Sequence, residues 1–207
     1  MTTRTQHATS ACSRILRLVI SLTVSGLALY PIPVLGGDIT AVSVDAASRV
    51  VKLYGAGGIR GLESYQTGIL VSSSGHILTV LSTAIDSEAI DCVLDDGRRY
   101  TASLVGADLH RELAVLKIED INLPYFKISA DSPRQAIGTR VLALSNLFGV
   151  AVGDERVSIQ HGVVAAHVPL RARRGSHEAA YRGDVYILDC TTNNPGSPGG
   201  CLINWQG

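Results

Sequence analysis

Short apolar runs separated by turn clusters recur from Val42 onward, with few strong helix signals between them. Residues 45–54, from Asp45 to Tyr54, enter as one helical turn and leave as a strand. Residues 67–72 and 76–81 flank Ser73, Ser74 and Gly75, the pattern of a hairpin closed by a Ser/Gly turn. Residues 90–94 and 98–105 flank Asp95, Asp96 and Gly97 and predict a second hairpin, with an Asp-Gly turn. Residues 113–118 read as a buried strand. Residues 119–138 carry Pro124, Pro133 and Gly138 and predict a crossover between two halves. Strands resume at 141–145, 156–166 and 185–190, with a polar segment from Pro169 to Gly183 between the last two. Strands at a spacing of roughly 8–12 residues predict an all-β sandwich or a pair of barrels. The missing βα alternation argues against a nucleotide-binding α/β fold.

Two glycine-rich stretches interrupt this pattern. Residues 55–61 lack the Gly-Lys-Ser/Thr ending of a phosphate cradle and predict a surface loop. The second stretch, Asn194 to Asn204, holds three glycines and two prolines and runs straight into an apolar segment. Loops of this build hold nucleophiles on constrained backbone, with bare N–H groups aimed at a substrate carbonyl.

Composition narrows the class. With 207 residues, 46% of them hydrophobic and 17% charged, the chain is long and apolar enough to bury a core. Lysine plus arginine equals aspartate plus glutamate at 18 each, so no global charge points to nucleic acid or an anionic membrane surface. The cluster Arg171, Arg173 and Arg174 is read as a solvated loop.

The N-terminus has the build of a targeting segment. Arg4, Arg14 and Arg17 precede an apolar run from Leu18 to Leu29, and Pro31 and Pro33 break any helix after it. That run is shorter than the roughly 20 residues a membrane span needs. Cleavage is expected after Gly36, giving a signal peptide over 1–36 and an exported product, periplasmic or secreted, with no stable membrane span.

Cys12 would leave with the leader, so Cys92, Cys190 and Cys201 remain, an odd number. Cys190 and Cys201 bracket the glycine-rich loop and a bridge between them is one alternative. Burial as small apolar side chains is the preferred one. No His/Cys cluster has metal-ligand spacing, so no metal is expected.

From about Ser64 to Gly207 the chain resembles the trypsin-like serine proteases of the HtrA/DegP type. Residues 67–79 are similar to the family's strand pair that delivers the catalytic histidine, and 94–108 to its Asp-Gly-Arg hairpin. Residues 112–118, Glu-Leu-Ala-Val-Leu-Lys-Ile, match its Asp-Leu-Ala-Val-Leu-Lys-Ile strand. Residues 143–149 and 161–166 resemble its Ala-Ile-Gly-Asn-Pro-Phe-Gly and Gly-Ile-Val-Ser-Ala segments, and 194–204 its nucleophile loop. The resemblance implies all-β architecture: two antiparallel β-barrels of the chymotrypsin/trypsin type with a cleft between them. The first barrel is expected over about 42–120, a linker over about 121–138, and a second barrel over about 139–207 within a peptidase domain of 37–207. With Gly207 as the last residue read, the second barrel is expected to be incomplete and no PDZ domain is expected.

The family's chemistry uses a serine nucleophile, a histidine base and an orienting carboxylate. Carried over by motif, the base position holds Ser82, the carboxylate position Glu112 and the nucleophile position Pro198. All three triad positions are therefore substituted. A proline supplies neither hydroxyl nor backbone N–H, so of the family's two oxyanion donors only that of Gly196 is left. Ser197, one residue away, and His110, two before Glu112, are weak rescue candidates, and Cys201 has no motif role as a nucleophile. No catalytic residue is expected intact and no cofactor is implied. The expectation is an exported protease homologue, inactive in proteolysis, that keeps a cleft for polypeptide segments; a homo-oligomer is compatible with the resemblance. The alternatives are an active serine endopeptidase with a rearranged site and a truncated remnant without function.

Overall fold

In the computed structural model the described residues are 38–55, 64–87, 89–170, 173–174, 177–178 and 181–207. The expected signal segment and most of the first glycine-rich loop lie outside them. The described residues open with a helix, α1 (Ile39–Ala47), longer and earlier than the single turn expected at Asp45. Its start is set by Asp38, whose side chain accepts the Thr40 N–H at 2.9 Å, an N-cap that periodicity alone did not reveal. Arg49 and Asp45 pair at 2.7 Å across its last turn. Ala46 and Ala47 are fully buried, so packing rather than a strong apolar stripe holds this helix.

Six strands follow: β1 (Val50–Tyr54), β2 (Tyr65–Leu70), β3 (His76–Val80), β4 (Ile90–Val93), β5 (Arg99–Asp108) and β6 (Leu113–Lys117). They close into a barrel in the order β1-β2-β3-β6-β5-β4, every pair antiparallel. Closure leaves no free edge in this half. Inward side chains alternate as the pleat demands: Val51 and Leu53, Ile77, Ala114 and Leu116 pack one core with Leu70, Ile90 and Cys92. The outward residues of β1, Val50 and Lys52, are equally buried, because other segments cover them. Strand β2 begins two residues before the expected Thr67, which puts Gln66 and Thr67 inside a strand instead of at its start.

Residues 118–139 carry no helix or strand. The second half is an open, four-stranded antiparallel sheet in the order β11-β8-β7-β12, formed by β7 (Arg140–Ser145), β8 (Ser158–Pro169), β11 (Asp184–Leu188) and β12 (Cys201–Asn204). A two-residue pair, β9 (Arg173–Arg174) with β10 (His177–Glu178), sits within the polar segment. Strand β8 runs later than expected, to Pro169 rather than Ala166, because pairing with β11 continues through Asp184↔Pro169.

A second core joins the halves. Ala46, Ala47 and Val50 pack with Leu142 and Leu144 of β7, Val157 and Ile203 of β12. Lys52 strengthens this join: its ammonium, on a side chain with no exposed surface, donates to the Gly153 and Glu155 carbonyls at 2.7 and 2.9 Å. Burial lowers its pKa below the ordinary lysine value. The three cysteines are free thiols, so the bridge between Cys190 and Cys201 is not formed and the buried-thiol alternative holds for Cys92.

Candidate functional site

The positions singled out by motif converge where β2 and β3 meet the second half. Val80, near the end of β3, pairs with Leu113 of β6, and the next residue, Leu81, donates its N–H to the Glu112 carbonyl at 2.8 Å. Ser82 and Glu112 therefore flank neighbouring strand ends. On the other side, the Thr67 N–H donates to the Pro198 carbonyl at 2.9 Å and the Thr67 hydroxyl to the Gly196 carbonyl at 2.6 Å. The glycine-rich loop is thus seated on β2.

One hydrogen-bonded chain runs through all of this. The Ser82 hydroxyl donates to the Gln66 side-chain carbonyl. The Gln66 amide donates to the Thr79 hydroxyl at 2.7 Å and to the Val80 carbonyl at 2.9 Å. Thr79 in turn donates to the Thr67 carbonyl at 2.6 Å. Gln66, Thr67 and Thr79 are all buried, where unpaired polar groups are costly, so each donor ends on an acceptor. Ser82 also accepts the Ala84 N–H at 3.1 Å and caps the short 3-10 turn Thr83–Ile85. Both capacities of its hydroxyl are consumed by structure.

Glu112 sits at φ +54° at the end of the β5–β6 turn, half-buried, and among the described residues no hydrogen bond or ion pair reaches its carboxylate. Pro198 is exposed. The loop around it depends on two left-handed glycines. Gly196 has φ +83°, and a Cβ there would lie 2.0 Å from the Asn146 carbonyl oxygen. Gly199 has φ +82°, and a Cβ there would lie 1.9 Å from the Thr67 carbonyl oxygen. The loop closes on itself through Ser197 N–H to Asn194 and Gly200 N–H to Ser197, both at 3.0 Å.

Asn146 completes the support. Its backbone N–H donates to the Thr67 hydroxyl at 2.9 Å, and its side-chain amide to the Tyr54 hydroxyl at 2.9 Å. Its side-chain carbonyl accepts the Ala151 N–H at 3.1 Å. Phe148 N–H reaches the Pro195 carbonyl at 2.8 Å, so the 146–149 turn and the glycine-rich loop form one unit.

The rescue candidates are not assembled. The Ser197 hydroxyl is buried without a partner and faces a cavity of about 140 Å³ lined by Ser145, Leu188, Thr191 and Cys201. No histidine lines that cavity. His110 is exposed, with its backbone N–H on Asp108 at 2.9 Å, in a different pocket with Arg111, Tyr181 and Arg182. Burial pushes the Cys201 thiol up to about 12, so it stays protonated and is a poor nucleophile. Among the described residues no cluster of three or more His, Cys, Asp or Glu has the arrangement of a metal site.

Sequence reasoning missed Gln66, Thr67 and Thr79 as site residues. Polar residues inside an otherwise apolar strand pair were the available signal, since strand interiors accept buried hydroxyls and amides only where partners wait for them.

A closed antiparallel barrel beside a second antiparallel sheet, with a glycine-rich loop seated between them, defines an all-β protein of the chymotrypsin type. A family model described as the trypsin-like peptidase domain matches residues 66–207, and the chain belongs to that family, in its HtrA/DegP branch. It is 33% identical over 141 residues to a probable periplasmic serine endoprotease, DegP-like, of Chlamydia pneumoniae, covering 68% of this chain and 26% of that protein. It is 32% identical over 151 residues to the DegP-like protein of Pseudomonas putida strain GB-1, covering 72% and 28%. Among solved structures, the HtrA-type protease AlgW with tripeptide superposes with a TM-score of 0.64 at 30% identity, over 81% of this chain and 50% of that one. The serine endoprotease from Yersinia pestis gives 0.60 at 27% identity, over 82% and 54%. The chain therefore spans little more than a quarter of the curated relatives and about half of the solved chains.

Proposed function

We propose that this chain is an exported HtrA-type protease homologue that binds polypeptide in the groove between barrel and second sheet and does not cleave it. In this reading Ser82, Glu112 and Pro198 stand at the base, carboxylate and nucleophile positions, and Gly196 at the remaining oxyanion position. The carrying observation is Pro198: it has neither hydroxyl nor N–H, and its carbonyl is fixed by Thr67 N–H at 2.9 Å. One lost oxyanion donor costs about 10²–10³ in rate. Loss of the triad costs about 10⁶. Ser82, with its hydroxyl shared between Gln66 and Ala84, is no proton acceptor near neutral pH.

Peptide binding is supported by the seating of the glycine-rich loop on β2 and by membership of a peptidase family. Export is supported by the leader-like pattern before Gly36 and by relatives named periplasmic.

The test is a fluorophosphonate probe applied to the purified chain, read by intact mass, beside a peptide array. We expect no covalent adduct and saturable binding of some peptides. Stoichiometric labelling at Ser197 would establish an active, rearranged site instead. Absence of any peptide binding by a cooperatively folded protein would remove the binding half of the proposal. Export is checked by the mature N-terminus of the secreted product, expected at Gly37.

A further inference from the structure

The β5–β6 turn carries a small charged device next to Glu112. The Asp108 carboxylate accepts the His110 and Arg111 N–H groups at 2.9 and 3.0 Å, and pairs with the Arg111 guanidinium at 2.7 Å. The Arg111 guanidinium bonded to it holds the Asp108 carboxyl below the usual carboxylate range. This turn therefore has a fixed shape, and it presents His110 and Arg111 outward. Tyr181 and Arg182, just before β11, meet them across a pocket of about 480 Å³. Tyr181 is oriented by its hydroxyl, which donates to the Asp184 carbonyl at 3.2 Å.

The pocket lining thus holds two guanidiniums, an imidazole and a phenol, and no carboxylate. Asp108, paired with Arg111, and Glu112 next to it are the carboxylates of the turn itself, and the lining brings the guanidiniums of Arg111 and Arg182 together. Arg111 and Arg182 both have partners already, but a guanidinium carries five donors and one carboxylate does not exhaust them. The pocket joins the turn that ends in Glu112 to the segment that leads into β11, so it lies beside one of the positions singled out by motif.

We infer that this pocket takes the side-chain carboxylate of an acidic polypeptide segment, with the anion between Arg111, Arg182 and His110. The inference rests on the groove being a peptide-binding surface and adds which peptides it selects. Planar guanidiniums bind carboxylates in a two-pronged geometry that a lysine patch would not give. The preference is for acidic residues flanking the bound stretch, and it weakens with salt.

The experiment is fluorescence polarisation with the full chain and paired peptides taken from the array hits, identical except for Glu and Asp replaced by Gln and Asn. The acidic member is expected to bind on the order of tenfold tighter at low ionic strength, as charge-assisted contacts would give. Arg111→Gln and Arg182→Gln should each erase most of that difference while leaving the neutral peptide unchanged. Arg98→Gln, at the far end of β5 from Asp108, should leave the difference intact. Circular dichroism and thermal melts check that each variant folds. Equal binding of both peptides, or equal loss in Arg98→Gln, overturns the inference and leaves peptide binding standing. No binding of either peptide overturns both. Competition by inorganic phosphate or short oligonucleotides with no preference among acidic and neutral peptides would make the pocket a general anion site and also overturn it.

Discussion

The Thr67 hydroxyl donates to the Gly196 carbonyl at 2.6 Å across 129 residues of sequence, and the same oxygen accepts the Asn146 N–H at 2.9 Å. One buried side chain therefore fixes the glycine-rich loop, the 146–149 turn and strand β2 together. Replacing it by valine keeps the shape and orphans both partners. Thr67→Val should cost about 1–3 kcal/mol, the desolvation penalty of unpaired buried groups. Thr67→Ser should recover most of it. Urea unfolding of the three proteins checks this; equal stability of Thr67→Val and wild type would mean the loop is held by something else.

Gly199→Ala probes the same seat from the other side. At φ +82° with a Cβ 1.9 Å from the Thr67 oxygen and 2.4 Å from the Thr79 hydroxyl, alanine must displace the loop from β2. Backbone strain alone is worth about 1–3 kcal/mol. A lower unfolding midpoint together with weakened peptide binding is expected. Gly138→Ala, also at positive φ but with no atom near its Cβ, should cost less.

Lys52 gives a pH signature. Its folded-state pKa is lowered by burial, so the unfolded chain holds the proton more tightly and folded stability rises with pH as the folded-state pKa is passed, up to the ordinary value of 10.5. Burial raises the pKa of Tyr54, Cys92 and Cys201, which acts in the opposite direction above their ordinary values. The comparison must therefore be with Lys52→Met, which keeps those groups. The stability difference between wild type and Lys52→Met should shift in favour of wild type as pH rises through the alkaline window below 10.5. Thermal melts in a pH series read it; a difference independent of pH would contradict the burial of a charged amine.

The thiols should differ in reactivity. Burial pushes Cys92 and Cys201 up to about 12, while Cys190 is raised less; Cys190 and Cys201 are both partly accessible and Cys92 is buried. Iodoacetamide at mildly alkaline pH should modify Cys190 first, and Cys92 and Cys201 only on unfolding, because the thiolate is the reactive form. Peptide mapping after short labelling decides; early modification of Cys201 would mean that β12 opens readily.

Ser82 and Gln66 test the inactivity argument directly. Ser82→Ala removes an N-cap acceptor and the donor to Gln66, and should cost about 0.5–2 kcal/mol. It should change no peptidase signal, since none is expected. Pro198→Ser alone should give no phosphonate labelling, because the proposed base position holds Ser82 in place of a histidine. Labelling of that single variant would show a base that the hydrogen-bonded chain through Gln66 does not reveal.

Much of the fold was legible because strand patterning is local. The Ser/Gly and Asp-Gly turns, with Gly75 at φ +88° and Gly97 at φ +82°, mark their hairpins within a few residues. Helix α1 was underread because its stability comes from Ala46 and Ala47 buried against the second sheet, a contact no short window contains. The start of β2 was misplaced for a related reason: Gln66 and Thr67 are polar, and only their distant partners make them strand-interior residues.

The sequence by itself determined the family and the succession of strands along the chain, because motif spacing and side-chain identity are properties of the chain alone. The tertiary structure decided what the motif positions are bonded to. Hydrogen-bond partners 79 and 129 residues apart meet only when the barrel closes and the second sheet docks on it. That meeting makes Thr67 the anchor of the loop, while barrel closure brings the Ser82 hydroxyl to Gln66.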